Sequence, residues 1–222
     1  MLIDSFIILK SRRESMKILI TGFEPFGGEK VNPSMEIVKR VSKKTFSDIL
    51  VNHLILPVSY EKSIIKLGEY YDNHEVDVAI HIGQAGGSAT IRVERVAVNL
   101  MDSKHPDNDN QLRNDIPIIE SGADAYMTKM KVKAIVDFLN NKKIPTTVSY
   151  TAGQYICNEV FYYSLYCSHK NNNPRHALFI HVPFLPKQVA ESNLKKDSLP
   201  SMSLELQTRA INLIIENLKE FI

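Results

Sequence analysis

The chain contains no tryptophan, only two cysteines and nine glycines in 222 residues. Charge of neither sign dominates, with 27 Lys and Arg against 25 Asp and Glu, and the basic residues are scattered. Lacking a basic stripe and tryptophan anchors, the sequence gives no support for nucleic acid or a membrane surface as a partner, and small molecules remain. Long apolar runs are missing as well. The stretch from Phe6 to Leu9 is far shorter than the roughly 20 residues that cross a bilayer. The two thiols, Cys157 and Cys167, stand ten positions apart. On one helix that is about 15 Å of rise, beyond the reach of a disulfide. Unpaired thiols suit a reducing compartment, and Cys167 reads as an inert core or groove residue.

Met1 to Ser15 precede a second methionine, Met16, at which the pattern of a globular domain begins. We expect an N-terminal extension over 1–15, disordered, loosely docked or the product of an upstream start codon, and a single domain over 16–222. Asp4 comes before the apolar stretch and Lys10, Arg12 and Arg13 after it, the reverse of a secretory signal.

Strand and helix patterns alternate along the domain. Lys17 to Thr21 reads as a strand buried on both faces, followed by a loop, Gly22 to Gly28, that carries Phe23 and Phe26. A solvated loop has no reason to hold two phenylalanines, so these rings are expected to line something. Asn32 caps a helix with Pro33 at its first position and Ile37, Val38 and Val41 on its buried face. Ile49–Val58 reads as a strand, Ser59 starts a helix through Ile64, Ile65, Leu67 and Tyr71, and Val76–Ile82 is another buried strand.

That third strand runs into Gly83-Gln84-Ala85-Gly86-Gly87, a turn where open α/β sheets place ligands. It is neither a Walker loop nor a dinucleotide loop. Ile91–Leu100 reads as one strand, and 101–119 as a long, solvated polar loop whose acidic cluster lacks the glycine and glutamate of a calcium-binding EF-hand. A helix through Val132, Ile135, Val136 and Leu139 follows, then strand 146–150, helix 157–169 and strand 178–182. Pro183 and Pro186 then break regular structure before a closing helix begins at Ser203. The alternation implies an α/β fold, a three-layer α/β/α sandwich on a mostly parallel twisted sheet. No internal repeat or linker interrupts it.

The stretch from Ser149 to Asn158 stands out chemically. A β-like run stops at Gly153, and a helix pattern with Val160, Phe161 and Leu165 starts near Cys157, placing the sulfur in a first helical turn. Unpaired N–H groups and the helix dipole there favour thiolate over thiol. A cysteine nucleophile needs a base, and the base needs an orienting group. His181, in the apolar strand end 179–184, is otherwise a satisfied core histidine. Glu94, in an apolar run beside Arg95, is otherwise half of a buried ion pair with Arg95 or another cation. Together Cys157, His181 and Glu94 supply nucleophile, base and carboxylate.

These residues lie in four separated blocks. Thr21 to Gly28 with Asn32-Pro33, Gly83 to Gly87 with Glu94 to Asn99, Ser149 to Asn158, and Phe179 to Phe184 resemble the signature blocks of the pyroglutamyl peptidase I (pyrrolidone carboxyl peptidase) family. The resemblance implies a cysteine exopeptidase that removes N-terminal 5-oxoproline from small peptides, a cytoplasmic homotetramer without cofactor or metal. It implies Cys157 as nucleophile, His181 as general base and acid, and Glu94 as third member. It also implies Phe23, Phe26 and Tyr155 around the lactam ring, Gln84 meeting it through its backbone, and Asn32 beside the pocket.

Several positions depart from the family pattern. Tyr155 replaces a phenylalanine, Ser88 an arginine, Val58 a threonine, and Lys104 and His105 an arginine and an isoleucine. Two other readings stay open at this level: a binder of pyroglutamyl termini that has lost turnover, and a nucleoside phosphorylase-like enzyme on a related fold, which needs a phosphate site and no thiol.

Overall fold

In a computed structural model, described here over residues 15–192 and 199–222, eight strands and six helices follow one another along the chain. The expected extension over 1–15 lies, apart from Ser15, outside the described residues. The elements are β1 (Met16–Phe23), α1 (Pro33–Val41), β2 (Ile49–Leu56), α2 (Tyr60–Asn73), β3 (Val78–Gln84), β4 (Ile91–Glu94), β5 (Val96–Val98), β6 (Ala125–Met127), α3 (Val132–Asn141), β7 (Thr146–Ser149), α4 (Ile156–Asn171), β8 (His176–Val182), α5 (Pro186–Glu191) and α6 (Leu204–Glu216).

Six strands form the main sheet in the order β2-β1-β3-β8-β4-β7. The first four are mutually parallel, β4 runs antiparallel to β8, and β7 is parallel to β4. Alternation along each strand sends side chains to two cores. Ile18, Ile20, Ile80, Val93 and Ile180 pack with α1, α3 and α6 on one face, while Leu19, Ala79 and Phe179 pack with α2 and α4 on the other. The result is the three-layer α/β/α sandwich the pattern implies.

Local chemistry explains most element boundaries. Asn32 Oδ1 accepts from Ser34 N at 3.0 Å, and Pro33 costs nothing at a position whose N–H has no helical partner. On α2 the buried face is Tyr60, Ser63, Leu67 and Tyr71, with Ile65 turned outward.

Three expectations change. Ile91–Leu100 is two strands, because the chain leaves the main sheet at Arg95. Arg95 N still donates to Ser149 O, but its carbonyl accepts from Thr128 N, and β5 pairs with β6 in a separate two-stranded sheet. Pro186 does not break structure but opens α5 at its first position, where a missing N–H is harmless. The polar loop after Met101 is organised rather than uniformly solvated. The Asp107 side chain is buried and accepts from Tyr60 N, Asp109 N and Gln111 N, so it caps α2 across 47 residues of sequence. Among the described residues no cluster of acidic, histidine or cysteine side chains could hold a metal ion, and no helix is long and apolar enough to cross a membrane.

Candidate active site

The carboxyl ends of β3 and β8 meet in register, pairing Gly83 with His181 and Gln84 with Val182. On the other side of β8, Arg92 of β4 pairs with His181 and Glu94 with Phe179. This register brings Glu94 under the imidazole. His181 Nδ1 lies 2.8 Å from Glu94 Oε1, with the carboxylate fully buried and the histidine nearly so. A carboxylate accepts here, so Nδ1 carries a proton, and in the neutral tautomer this bond selects, Nε2 is the ring atom with a lone pair. The sequence-level ion pair with Arg95 does not form. The cation near Glu94 is Arg92, with Nε 3.8 Å from Oε1 and Nη2 bonded to Ser149 Oγ at 2.8 Å. Glu94 Oε2 has no hydrogen-bond partner.

Cys157 is the second residue of α4. Gly153 has φ +80°, which turns the chain from β7 toward the helix start. The N-cap is Tyr155, whose side chain makes no capping bond; Asn158 N already donates to Tyr155 O, and the Cys157 N–H lies at its own thiol. Such a helix start can receive an oxyanion.

The thiol itself differs from expectation. Burial and the nearby Glu94 carboxylate push the Cys157 pKa up to about 12, outweighing the helix start that favours thiolate. With its pKa so raised, the group favours the thiol form at neutral pH. Cys167 is buried and its pKa is likewise raised by burial.

Cys157 and His181 open together into a cavity of about 180 Å³ that is also lined by Phe23, Phe26, Asn32, Val58, Gln84, Ala152, Tyr155 and Ile156. All eight residues selected from the sequence thus sit at one site, seven of them in the cavity wall and Glu94 behind His181. Asn32 is both cap and wall, and its Nδ2 donates to Glu24 O at 3.0 Å, tying the phenylalanine loop to α1.

Tyr155 packs edge-on against Tyr60 with centroids 5.5 Å apart, and its hydroxyl donates to Pro106 O at 3.0 Å. A phenylalanine could not tether the polar loop in this way. His105 lines not this cavity but another of about 630 Å³ that shares Phe26 and Tyr155 with it. Lys104 is exposed and lines neither. Ser88 closes its own turn by donating to Thr90 O.

Sequence reasoning passes over two residues. His81 on β3 is fully buried, with Thr21 Oγ1 2.8 Å from Nδ1 and Ser164 Oγ 2.7 Å from Nε2, and Ser164 continues to Tyr71 OH. Desolvation lowers its pKa to about 3, so it stays neutral and, with both nitrogens engaged, has no free lone pair for catalysis. Its place inside an apolar strand was the available signal. Gln188 on α5 is the other; it bonds Gln84 inside the cavity wall.

Residues 16–220 match the family model described as pyroglutamyl peptidase. The crystal structure of a pyrrolidone carboxyl peptidase from Fervidobacterium islandicum AW-1 superposes with a TM-score of 0.92 at 64% identity, covering 93% of this chain and all of that one. A mutant pyrrolidone carboxyl peptidase from Pyrococcus furiosus gives 0.89 at 39% identity, covering 92% of this chain and 99% of that one. The pyrrolidone-carboxylate peptidase of Thermosipho africanus is 44% identical over 88% of this chain and 93% of its own length. On the family match and these relatives, which span nearly the whole domain, the chain belongs to the pyroglutamyl peptidase family.

Proposed function

We propose that the protein hydrolyses the amide bond after an N-terminal pyroglutamyl residue of small peptides, with Cys157 as nucleophile, His181 as general base and acid, and Glu94 orienting His181. The observation that carries this reading is the 2.8 Å bond from His181 Nδ1 to Glu94, made at the wall of a cavity that Cys157 also lines. It leaves Nε2 as the basic atom of a two-residue relay beside a thiol.

In the first step the Cys157 S–H proton passes to His181 Nε2 as sulfur bonds to the pyroglutamyl carbonyl carbon. The carbonyl electron pair moves onto oxygen, and first-turn N–H groups of α4 receive that oxyanion. When the pair returns, the C–N bond breaks and the departing amine takes the proton from Nε2, leaving a thioester. Water then loses a proton to Nε2 and attacks the thioester. The C–S bond breaks, the acid departs and the thiol recovers its proton.

Because the Cys157 thiol is held protonated, the base carries more of the first step than it would beside a preformed thiolate. No metal or organic cofactor has a part in this scheme. The small cavity, walled by Phe23, Phe26 and Tyr155, suits a flat neutral ring. Peptide substrates, a homotetrameric assembly and a cytoplasmic setting belong to the same proposal. Turnover of a fluorogenic pyroglutamyl amide, abolished by iodoacetamide, tests it. A protein that binds pyroglutamyl peptides without turnover would favour the binder reading, and phosphate-dependent cleavage of a nucleoside that survives thiol blocking would favour a phosphorylase-like one.

A further inference from the structure

We propose that Gln188 is a positioning residue that sets the polarity of the pocket wall by fixing which end of the Gln84 carboxamide faces the substrate. The inference rests on the functional reading above and adds a determinant to it. Gln188 sits on α5, a short way along the chain from His181, and is buried with 6% of its surface exposed. Three bonds hold it. Leu185 N donates to Gln188 Oε1 at 2.9 Å, and Gln188 Nε2 lies 3.2 Å from Val31 O and 2.8 Å from Gln84 Oε1.

The orientation of this amide is settled by its partners. A backbone N–H can only donate, so the atom facing Leu185 N must be oxygen; the other end is then the N–H₂, which meets the two oxygens. Gln84 must therefore present its own oxygen to Gln188. The end of the Gln84 carboxamide left unengaged by Gln188 is its N–H₂, and Gln84 lines the cavity. Beside the Gln84 backbone that the resemblance assigns to the lactam, this N–H₂ offers a second donor to the ring carbonyl, and an acceptor in the same place would repel it. Gln188 also joins the loop before α1, the end of β3 and the segment after β8 through Val31, Gln84 and Leu185, so one side chain ties three segments together beside the site.

The decisive variant is Gln188→Glu. Its carboxylate still accepts from Leu185 N but offers no donor to Val31 O or Gln84 Oε1. Gln84 then turns its N–H₂ toward position 188 and shows the cavity its carbonyl. With a pyroglutamyl reporter amide, KM is expected to rise about tenfold or more while kcat stays within about threefold. The affinity of a pyroglutamyl dipeptide, measured by calorimetry on a Cys157→Ala background, should fall by the same factor. Gln84→Glu provides an independent route, since it leaves an acceptor paired with Gln188 and no donor for the lactam, and it should weaken binding alike whether or not Gln188→Glu folds. Unchanged KM and affinity in either folded variant, or a loss confined to kcat, overturns the proposal. If the parent protein neither hydrolyses the reporter nor, as Cys157→Ala, binds the dipeptide, the functional reading falls and this one with it. Parent activity with unchanged variant values defeats only the role of Gln188.

Discussion

A methyl group placed on Gly83 would lie 2.9 Å from Cys157 Sγ and 2.9 Å from Phe179 Cζ. The end of β3 and the start of α4 therefore touch through the sulfur itself, with no room between them for a side chain. Gly83→Ala should push the thiol out of line. Misplacement of about 1 Å can cost roughly 10² in rate. We expect kcat on a pyroglutamyl amide to fall by about that factor in a variant whose far-UV spectrum is unchanged. Activity within about twofold of the parent would mean that the sulfur position is not critical.

Cys157→Ala is expected to abolish turnover, and Cys167→Ser to leave it within about twofold, because only Cys157 opens into the cavity beside His181. His181→Ala should lose about 10² to 10⁴ in kcat. Steady-state kinetics on the three purified variants checks this, and equal losses at both cysteines would remove Cys157 from its role.

Glu94 raises the Cys157 thiol pKa and also accepts a hydrogen bond from His181 Nδ1. Glu94→Gln should consequently do two things in opposite directions. It should lower kcat by about tenfold or more as the imidazolium loses its carboxylate, and it should move the pH profile of Cys157 alkylation by iodoacetamide to lower pH, since a negative charge no longer opposes the thiolate. In the parent, alkylation should still be climbing above pH 9. A parent profile that plateaus below pH 8 would show a preformed thiolate.

Glu159, one turn into α4, is buried with Ser63 Oγ 3.2 Å from its Oε2, and desolvation raises its pKa from 4.5 to about 9. Between those values the folded state holds a proton that the unfolded chain has released. Stability from this group is thus full below about pH 4.5 and declines as pH rises toward 9. Glu159→Gln removes the titration, so its thermal midpoint should exceed the parent's at pH 8 and approach it at pH 5. Identical differences at both pH values would mean that Glu159 is not protonated in the fold.

Much of this arrangement was legible in the sequence because its causes are local. Asn32-Pro33 announces a helix start, and Gly153 followed by helical spacing announces the turn before Cys157. What was not legible depends on partners distant in the chain. The continuous β pattern of Ile91–Leu100 hides the transfer at Arg95 to a second sheet, since that transfer is set by pairing with Ser149 and Thr128. Asp107 looked solvated because the N–H of Tyr60 that it caps lies 47 residues earlier. The thiol pKa is a balance between a helix start, readable locally, and burial beside Glu94, which requires the sheet register. Pairing the family blocks with His181 and Glu94 did anticipate which side chains the register gathers into one site.

Selectivity for the lactam tests the central claim most directly. Pyroglutamate is neutral and flat, whereas prolyl and glutaminyl termini bring an ammonium into a cavity walled by Phe23, Phe26 and Tyr155, at a desolvation cost with no counter-ion in that wall. The prolyl ring also lacks the lactam carbonyl, and an unmade buried hydrogen bond costs about 1–3 kcal/mol, or roughly 5- to 150-fold. The measurement is kcat/KM for pyroglutamyl, prolyl and glutaminyl forms of one reporter amide. The expected result is pyroglutamyl hydrolysis favoured over both others by about 10² or more, and comparable values for all three would contradict a lactam-selective cysteine peptidase at this site.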